Sequence, residues 1–167
     1  MKIVFKTITI IVIAVAINMT ANAQSKGDKA VGGNLISGIG EYHSIGIGAK
    51  LLYNVTNPIR LAVEFDCASS YTLCSGESWW DLSAYGHSLF PVANRVVLYP
   101  SFGLGIVGWN RSNEGAESSG NNFAASFGGG IDYALSSHLV LNSEIRFKLL
   151  IDDYNRANIA IGLAYKF

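Results

Sequence analysis

The chain has 167 residues, of which half are hydrophobic, with 12 basic against 12 acidic side chains. That balance excludes a strongly basic nucleic-acid surface and singles out no charged partner. The length suits one domain, and two cysteines without a CxxC spacing exclude the usual redox and zinc patterns.

Residues 1–23 read as a cleaved secretory signal. Lys2 and Lys6 form a basic lead, Ile8 to Ile17 an apolar run, and Ala21-Asn22-Ala23 a small-residue cleavage site before Gln24. A transmembrane anchor needs about 20 apolar residues, and Asn18 and Thr20 interrupt this run. The mature domain, 24–167, has 144 residues and keeps 10 basic against 12 acidic groups, a charge near −2. All 18 glycines lie in it, 12.5% of its residues, against a usual share of about 7%. No later stretch suits a spanning helix, so any bilayer crossing requires a closed barrel that satisfies its own backbone.

Gln24 to Lys29 reads as a short free polar lead. Eight strand-like runs follow, near the 9–11 residues that a tilted membrane strand requires. The first is Ala30–Ser37, rich in glycine. In the second, His43–Tyr53, Ile45, Ile47, Ala49, Leu51 and Tyr53 alternate with Ser44, Gly46, Gly48 and Lys50. Asn54 to Pro58 is a turn. The third, Ile59–Ala68, sets Ile59, Leu61, Val63 and Phe65 against Arg60, Glu64 and Asp66.

Ser69–Ser78 is a longer loop, followed by the fourth run, Trp79–Phe90, where Asp81, Ser83, Tyr85 and His87 oppose Trp80, Leu82 and Ala84. The fifth, Val96–Trp109, sets apolar against small residues. Asn110–Asn121, rich in Ser, Asn, Gly and Glu, is the longest loop. The sixth, Asn122–Tyr133, sets Phe123, Phe127, Ile131 and Tyr133 against Ser126, Gly128, Gly130 and Asp132. After a tight turn at Ser136-Ser137-His138, Leu139–Leu150 sets Leu141, Ile145, Phe147 and Leu149 against Asn142, Glu144, Arg146 and Lys148. The closing run puts Ile159, Ile161, Leu163, Tyr165 and Phe167 on one face and Ala160, Gly162, Ala164 and Lys166 on the other.

Bulky apolar faces opposed to small and charged ones fit a wall with lipid outside and a crowded interior. Aromatic residues near the strand ends predict two interfacial girdles, Trp79, Trp80, Trp109 and Phe123 at one end and Tyr53, Tyr133, Tyr165 and Phe167 at the other. The stretches 48–55 (GAKLLYNV), 98–105 (LYPSFGLG), 127–133 (FGGGIDY) and the C-terminus resemble the small outer-membrane β-barrels grouped around OmpX and the OmpA barrel domain. The resemblance implies an all-β, eight-stranded antiparallel up-and-down barrel in the outer membrane of a Gram-negative cell, with both termini in the periplasm. It also implies that Tyr165 and Phe167 serve as the signal read by the barrel-assembly machinery. Partners then include outer-membrane lipid, lipopolysaccharide and an extracellular partner at the loops.

The charges within the strands share the inward face. Lys50, Arg60, Arg146 and Lys148 stand against Glu64, Asp66, Asp132 and Glu144, since Arg or Lys at mid-bilayer costs about 2–4 kcal/mol. An eight-stranded lumen is filled by side chains, so these groups are expected to form a network of ion pairs that plugs it. Cys67 and Cys74, six residues apart on a secreted chain, are candidates for a disulfide closing a small loop. No cofactor, metal or catalytic motif is found; His43, His87 and His138 fall at a strand start, mid-strand and a turn. The expected role is structural, adhesive or surface-binding. Three alternatives stand beside it: a narrow channel if the charges are open, an outer-leaflet lipid enzyme using His43 and Ser44 with Glu41, and a soluble ligand-binding barrel of the lipocalin type if the apolar faces point inward.

Overall fold

The computed structural model describes residues 25–39, 44–70, 76–113, 116–151 and 155–167. Residues 1–24, and with them the proposed signal segment, lie outside the described residues. Among the described residues nine strands make up the fold: β1 (Lys29–Ile39), β2 (Ser44–Asn54), β3 (Ile59–Ser70), β4 (Gly76–Ser88), β5 (Phe90–Ala93), β6 (Val96–Asn113), β7 (Ala116–Ala134), β8 (Leu139–Leu150) and β9 (Arg156–Lys166). Each pairs antiparallel with its neighbours, β1 pairs with β9, and β4 and β5 both pair with β6. The result is a closed eight-stave barrel in which β4 and β5 are one stave, broken at Leu89 and irregular between Pro91 and Ala93. The run expected over Trp79–Phe90 therefore ends sooner: Leu89 N–H still donates to Pro58 O (2.7 Å), in register with the β3–β4 ladder, but Pro58 has no N–H to return the bond.

The register fixes the dimensions. Lys29 pairs with Tyr53, then Leu61, Gly86, Phe102, Phe127, Phe147 and Ala157 follow around the wall. Ala157 in turn pairs with Ile39, ten residues beyond the start. Eight staves with that stagger tilt by about 40° and close at a backbone radius of about 8 Å. Such a lumen holds side chains and little else.

The alternation of the sequence maps onto the two faces of this wall. Outward-facing Leu104, Phe102 and Phe123 are 72%, 69% and 69% exposed, whereas inward-facing Lys50, Glu64 and Asp81 are each 1% exposed. A water-soluble barrel would reverse these values, which removes the lipocalin-type alternative.

Three expectations are corrected. The polar stretch Asn110–Asn121 is not a loop: β6 and β7 continue to Asn113 and from Ala116, with Asn110 opposite Ser119 and Trp109 opposite Gly120. The interval Ser69–Ser78 likewise shrinks, since β3 reaches Ser70 and β4 starts at Gly76. Beyond a bilayer both faces of a strand meet water, so pairing persists after the apolar alternation stops. The third correction is the lead. Ser25 to Asp28 forms a turn closed by Asp28 N–H to Ser25 O (3.1 Å), with Gly27 at φ 90° as the third position requires. Gly27 N–H donates to Asn54 O (2.8 Å) and Lys26 N–H to Asn57 Oδ1 (2.9 Å), so the lead is pinned under the β2–β3 turn.

Candidate functional site: the barrel interior

The inward residues of every stave converge on one ionic core. Near the end that carries the termini, Arg60 pairs with Asp132 at 2.5 Å, and its Nε–H donates to His87 Nδ1 at 3.0 Å. The Tyr99 ring stacks on His87 with centroids 4.7 Å apart and lies 4.6 Å from the Arg60 guanidinium carbon. The middle is organised by Arg146. It reaches Glu64 Oε2 at 2.6 Å and Asp66 Oδ2 at 3.9 Å, and its Nε–H donates to Glu144 Oε2 at 2.7 Å. Its guanidinium carbon sits 4.7 Å from the Tyr85 ring centroid. Lys50 lies 3.7 Å from Glu144, to which the Tyr99 hydroxyl also donates. Farther along, Lys148 pairs with Asp81, whose carboxylate accepts from Ser83 Oγ at 2.5 Å.

These contacts cross the lumen rather than run along its wall. Glu64 is on β3 and Arg146 on β8, four staves apart in either direction around the barrel. Their 2.6 Å contact spans a diameter. Apolar clusters close the core on both sides: Val107, Ala124 and Leu150 toward the open end, and Leu52, Ala62, Tyr85 and Ala164 toward the termini. Glycines make room for the wider side chains. A Cβ on Gly130 would stand 2.5 Å from the Tyr99 hydroxyl and 2.6 Å from Glu144 Cγ.

All eight sequence-derived interior charges, Lys50, Arg60, Glu64, Asp66, Asp132, Glu144, Arg146 and Lys148, are buried, and each has an ionic partner. Sequence reasoning left out Asp81, the partner of Lys148, although parity in the fourth run had put it on the inward face. It also left out Tyr99, whose stretch reads as apolar against small. The girdle at the open end is only half as expected. Trp80 faces outward, but its neighbour Trp79 must then face inward, and it is buried with Arg156 5.6 Å from its ring. Trp109 also falls on the inward side, over Gly120. The other girdle stands as read, with Tyr53, Tyr133, Tyr165 and Phe167 all exposed outward.

Among the described residues, His87 and His138 do not come together. His87 is enclosed between Arg60 and Tyr99, whereas His138 is exposed at the β7–β8 turn and stacks on Tyr165. His43 and Glu41 lie outside the described residues. Cys67 is exposed on the outer wall of β3; Cys74, its expected partner, lies outside the described residues.

A closed barrel with an apolar outer wall and an ionic interior defines a transmembrane β-barrel of the smallest size class. The chain belongs to the outer membrane protein β-barrel domain family, whose model matches residues 8–167. No curated protein is similar enough in sequence to count as a relative. Among solved structures the chain is similar to Ail, the attachment invasion locus protein of Yersinia pestis, with 17% identity and a TM-score of 0.62 over 85% of this chain and 99% of that one. It is similar also to Neisserial surface protein A, with 14% identity and a TM-score of 0.70 over 84% and 96%. The N-terminal barrel of Pseudomonas aeruginosa OprF gives 15% identity and a TM-score of 0.61 over 86% and 100%. At these identities the likeness is one of fold.

Proposed function

We propose that this outer-membrane barrel is closed to solutes, has no enzymatic role, and acts through its wall and its outward end as a structural and surface-binding protein. The observation that carries the reading is the bond between Arg146 and Glu64 across the full width of the lumen. A thread of water or ions would have to break it, at a cost of about 3–5 kcal/mol for a buried pair. A narrow channel is therefore disfavoured. The lipid-enzyme reading rests on His43 and Glu41, which lie outside the described residues, beside Ser44 at the start of β2.

The described chain starts, at Ser25, at the same end as Phe167, where the β2–β3 and β7–β8 connections are short. That end is assigned to the periplasm, because short turns face it in such barrels. The β6–β7 hairpin then rises about 18 Å past Ile106 and Phe123, where the apolar wall ends, taking seven residues at this tilt. This hairpin is the part offered to an extracellular partner, in keeping with the attachment role that the name of Ail records for that protein. Tyr165, on the outer face of β9, and Phe167, just past its end, both exposed, are the groups offered to the barrel-assembly machinery, and lipopolysaccharide surrounds the outward half. Cys67 and Cys74 are proposed to bridge in the oxidising envelope.

The test is planar-bilayer recording on the refolded mature barrel, together with surface labelling of an epitope inserted after Asn113. Silent bilayers and a labelled cell surface are expected. Steady single-channel steps would overturn the closed interior, and labelling only after outer-membrane rupture would overturn the orientation.

A further inference from the structure

The ionic core ties most of the wall together and leaves one join out. Lys50 on β2, Glu64 on β3, Asp81 on β4, Tyr99 on β6, Asp132 on β7 and Arg146 on β8 all belong to its ion pairs and hydrogen bonds across the lumen. Those six staves are cross-linked. The inward residues of β1 are Ala30, Gly32, Asn34, Ile36 and Gly38, and those of β9 between its ends are Asn158, Ala160, Gly162 and Ala164. None is charged. Asn34, buried between Gly48 and Gly162, makes no side-chain hydrogen bond to the described residues.

The middle of the β1–β9 seam is therefore carried by its backbone ladder, which runs from Ala30 opposite Lys166 to Ile39 opposite Ala157. Side-chain ties stand at the two ends. Outward, Arg156 lies 5.6 Å from the Trp79 ring on the opposite stave. At the other end the lead folds into a clasp. Asp28 Oδ2 accepts from Ser25 N–H at 2.8 Å, which closes the turn, and from Lys166 Nζ on β9 at 3.3 Å. The same turn grips the other neighbour of β1. Asn54 Nδ2 donates to Ser25 O at 3.3 Å, and Lys26 N–H donates to Asn57 Oδ1 at 2.9 Å.

We propose that the β1–β9 seam is the line along which this barrel opens, and that the lead Ser25–Asp28 is the catch that holds it shut. The lead is bonded to β9 on one side of β1 and to the β2–β3 turn on the other. Peeling β1 at this end must break both sets of bonds. Without Asp28 the turn loses its closing bond and β9 loses its hold on the lead, so the seam keeps only its ladder. The cross-linked staves stay together while β1 and β9 part, because splitting a buried ion pair is costlier than fraying a rung at a strand end.

The test is hydrogen–deuterium exchange of the folded barrel in mild detergent, read by mass spectrometry of peptides from β1, β9, β3 and β7. Wild-type β1 and β9 are expected to exchange faster than β3 and β7. Asp28→Ala is expected to accelerate β1 and β9 about tenfold, as a local opening does, and to leave β3 and β7 unchanged. Lys166→Met, which loses only the contact to the lead, should accelerate the same two strands less. Ser136→Ala serves as control. It removes the Ser136 Oγ bond from Leu139 N–H (3.1 Å) in the β7–β8 turn, at the same end of the barrel and outside the seam, and should leave β1 and β9 at the wild-type rate. Gel mobility before boiling confirms that every variant is folded. Wild-type exchange no faster in β1 and β9 than in β3 and β7, equal acceleration of all four strands in Asp28→Ala, no acceleration there, or the same acceleration in Ser136→Ala would each overturn the proposal.

Discussion

Arg146→Met removes the centre of the ionic core and keeps much of the side-chain volume. In the native protein the guanidinium meets Glu64 at 2.6 Å, Glu144 at 2.7 Å and Asp66 at 3.9 Å. Its loss leaves three buried carboxylates in one neighbourhood, with Lys50 3.7 Å from Glu144 as the remaining ammonium close by. A contact near 4 Å at an effective dielectric of 20 is worth about 4 kcal/mol before desolvation. Removing one member of a buried pair costs about 3–5 kcal/mol net, and that is the expected loss of stability. The assay is urea unfolding of the barrel in lipid vesicles, followed by gel mobility without boiling, for Arg146→Met, Glu64→Gln and the double variant. Because the two groups share one contact, the double variant should be less destabilised than the sum of the singles by at least about 1 kcal/mol. A cost below about 1 kcal/mol for Arg146→Met, or strict additivity, would refute a bridged interior.

Three further outcomes follow from the same geometry. Phe102→Arg, on the outer wall, should destabilise the vesicle-inserted barrel by about 2–4 kcal/mol; a neutral effect would mean that this face does not meet lipid. Gly130→Leu should cost about 1–3 kcal/mol by overpacking, since its Cβ falls within 2.6 Å of Tyr99 and Glu144, and the unfolding midpoint in the same assay checks it. The heparin analogue sucrose octasulfate is bound by Ail in its solved complex. In sequence, the segments that join β1 to β2, β3 to β4, β6 to β7 and β8 to β9, with their flanking residues, carry Glu41, Glu77, Glu114, Glu117, Asp152 and Asp153 against Arg111 and Arg156. Calorimetry at physiological salt should therefore detect no binding here, and micromolar binding would show that this charge balance does not govern the outward end.

The strands were legible because the bilayer enforces strict alternation: Leu61, Val63 and Phe65 outward, Arg60, Glu64 and Asp66 inward. The same pressure marked the eight interior charges, since a charged side chain inside a membrane strand has only one tolerable direction. Legibility failed where the bilayer stops. Above Ile106 and Phe123, pairing is held by backbone hydrogen bonds that leave no pattern in side-chain polarity, so the β6–β7 extension read as a loop. Partner choice was also hidden. Composition places Lys148 inside the barrel, but the stagger of ten residues decides that it meets Asp81. The adjacent Trp79 and Trp80 show the simplest error, because period-two geometry forbids both from joining one girdle. The pinned lead escaped because its hydrogen bonds to Asn54 and Asn57 come from a turn some thirty residues away.

The most direct test of the account is gel mobility of the protein from isolated outer membranes, with and without boiling in detergent. A closed barrel held by a complete ring of backbone pairing, from β1 through to β9, should stay folded in cold detergent and shift on boiling. A single mobility, with the protein released in the soluble periplasmic fraction, would contradict it: the apolar faces would then have to point inward, and the ionic core described here would not exist.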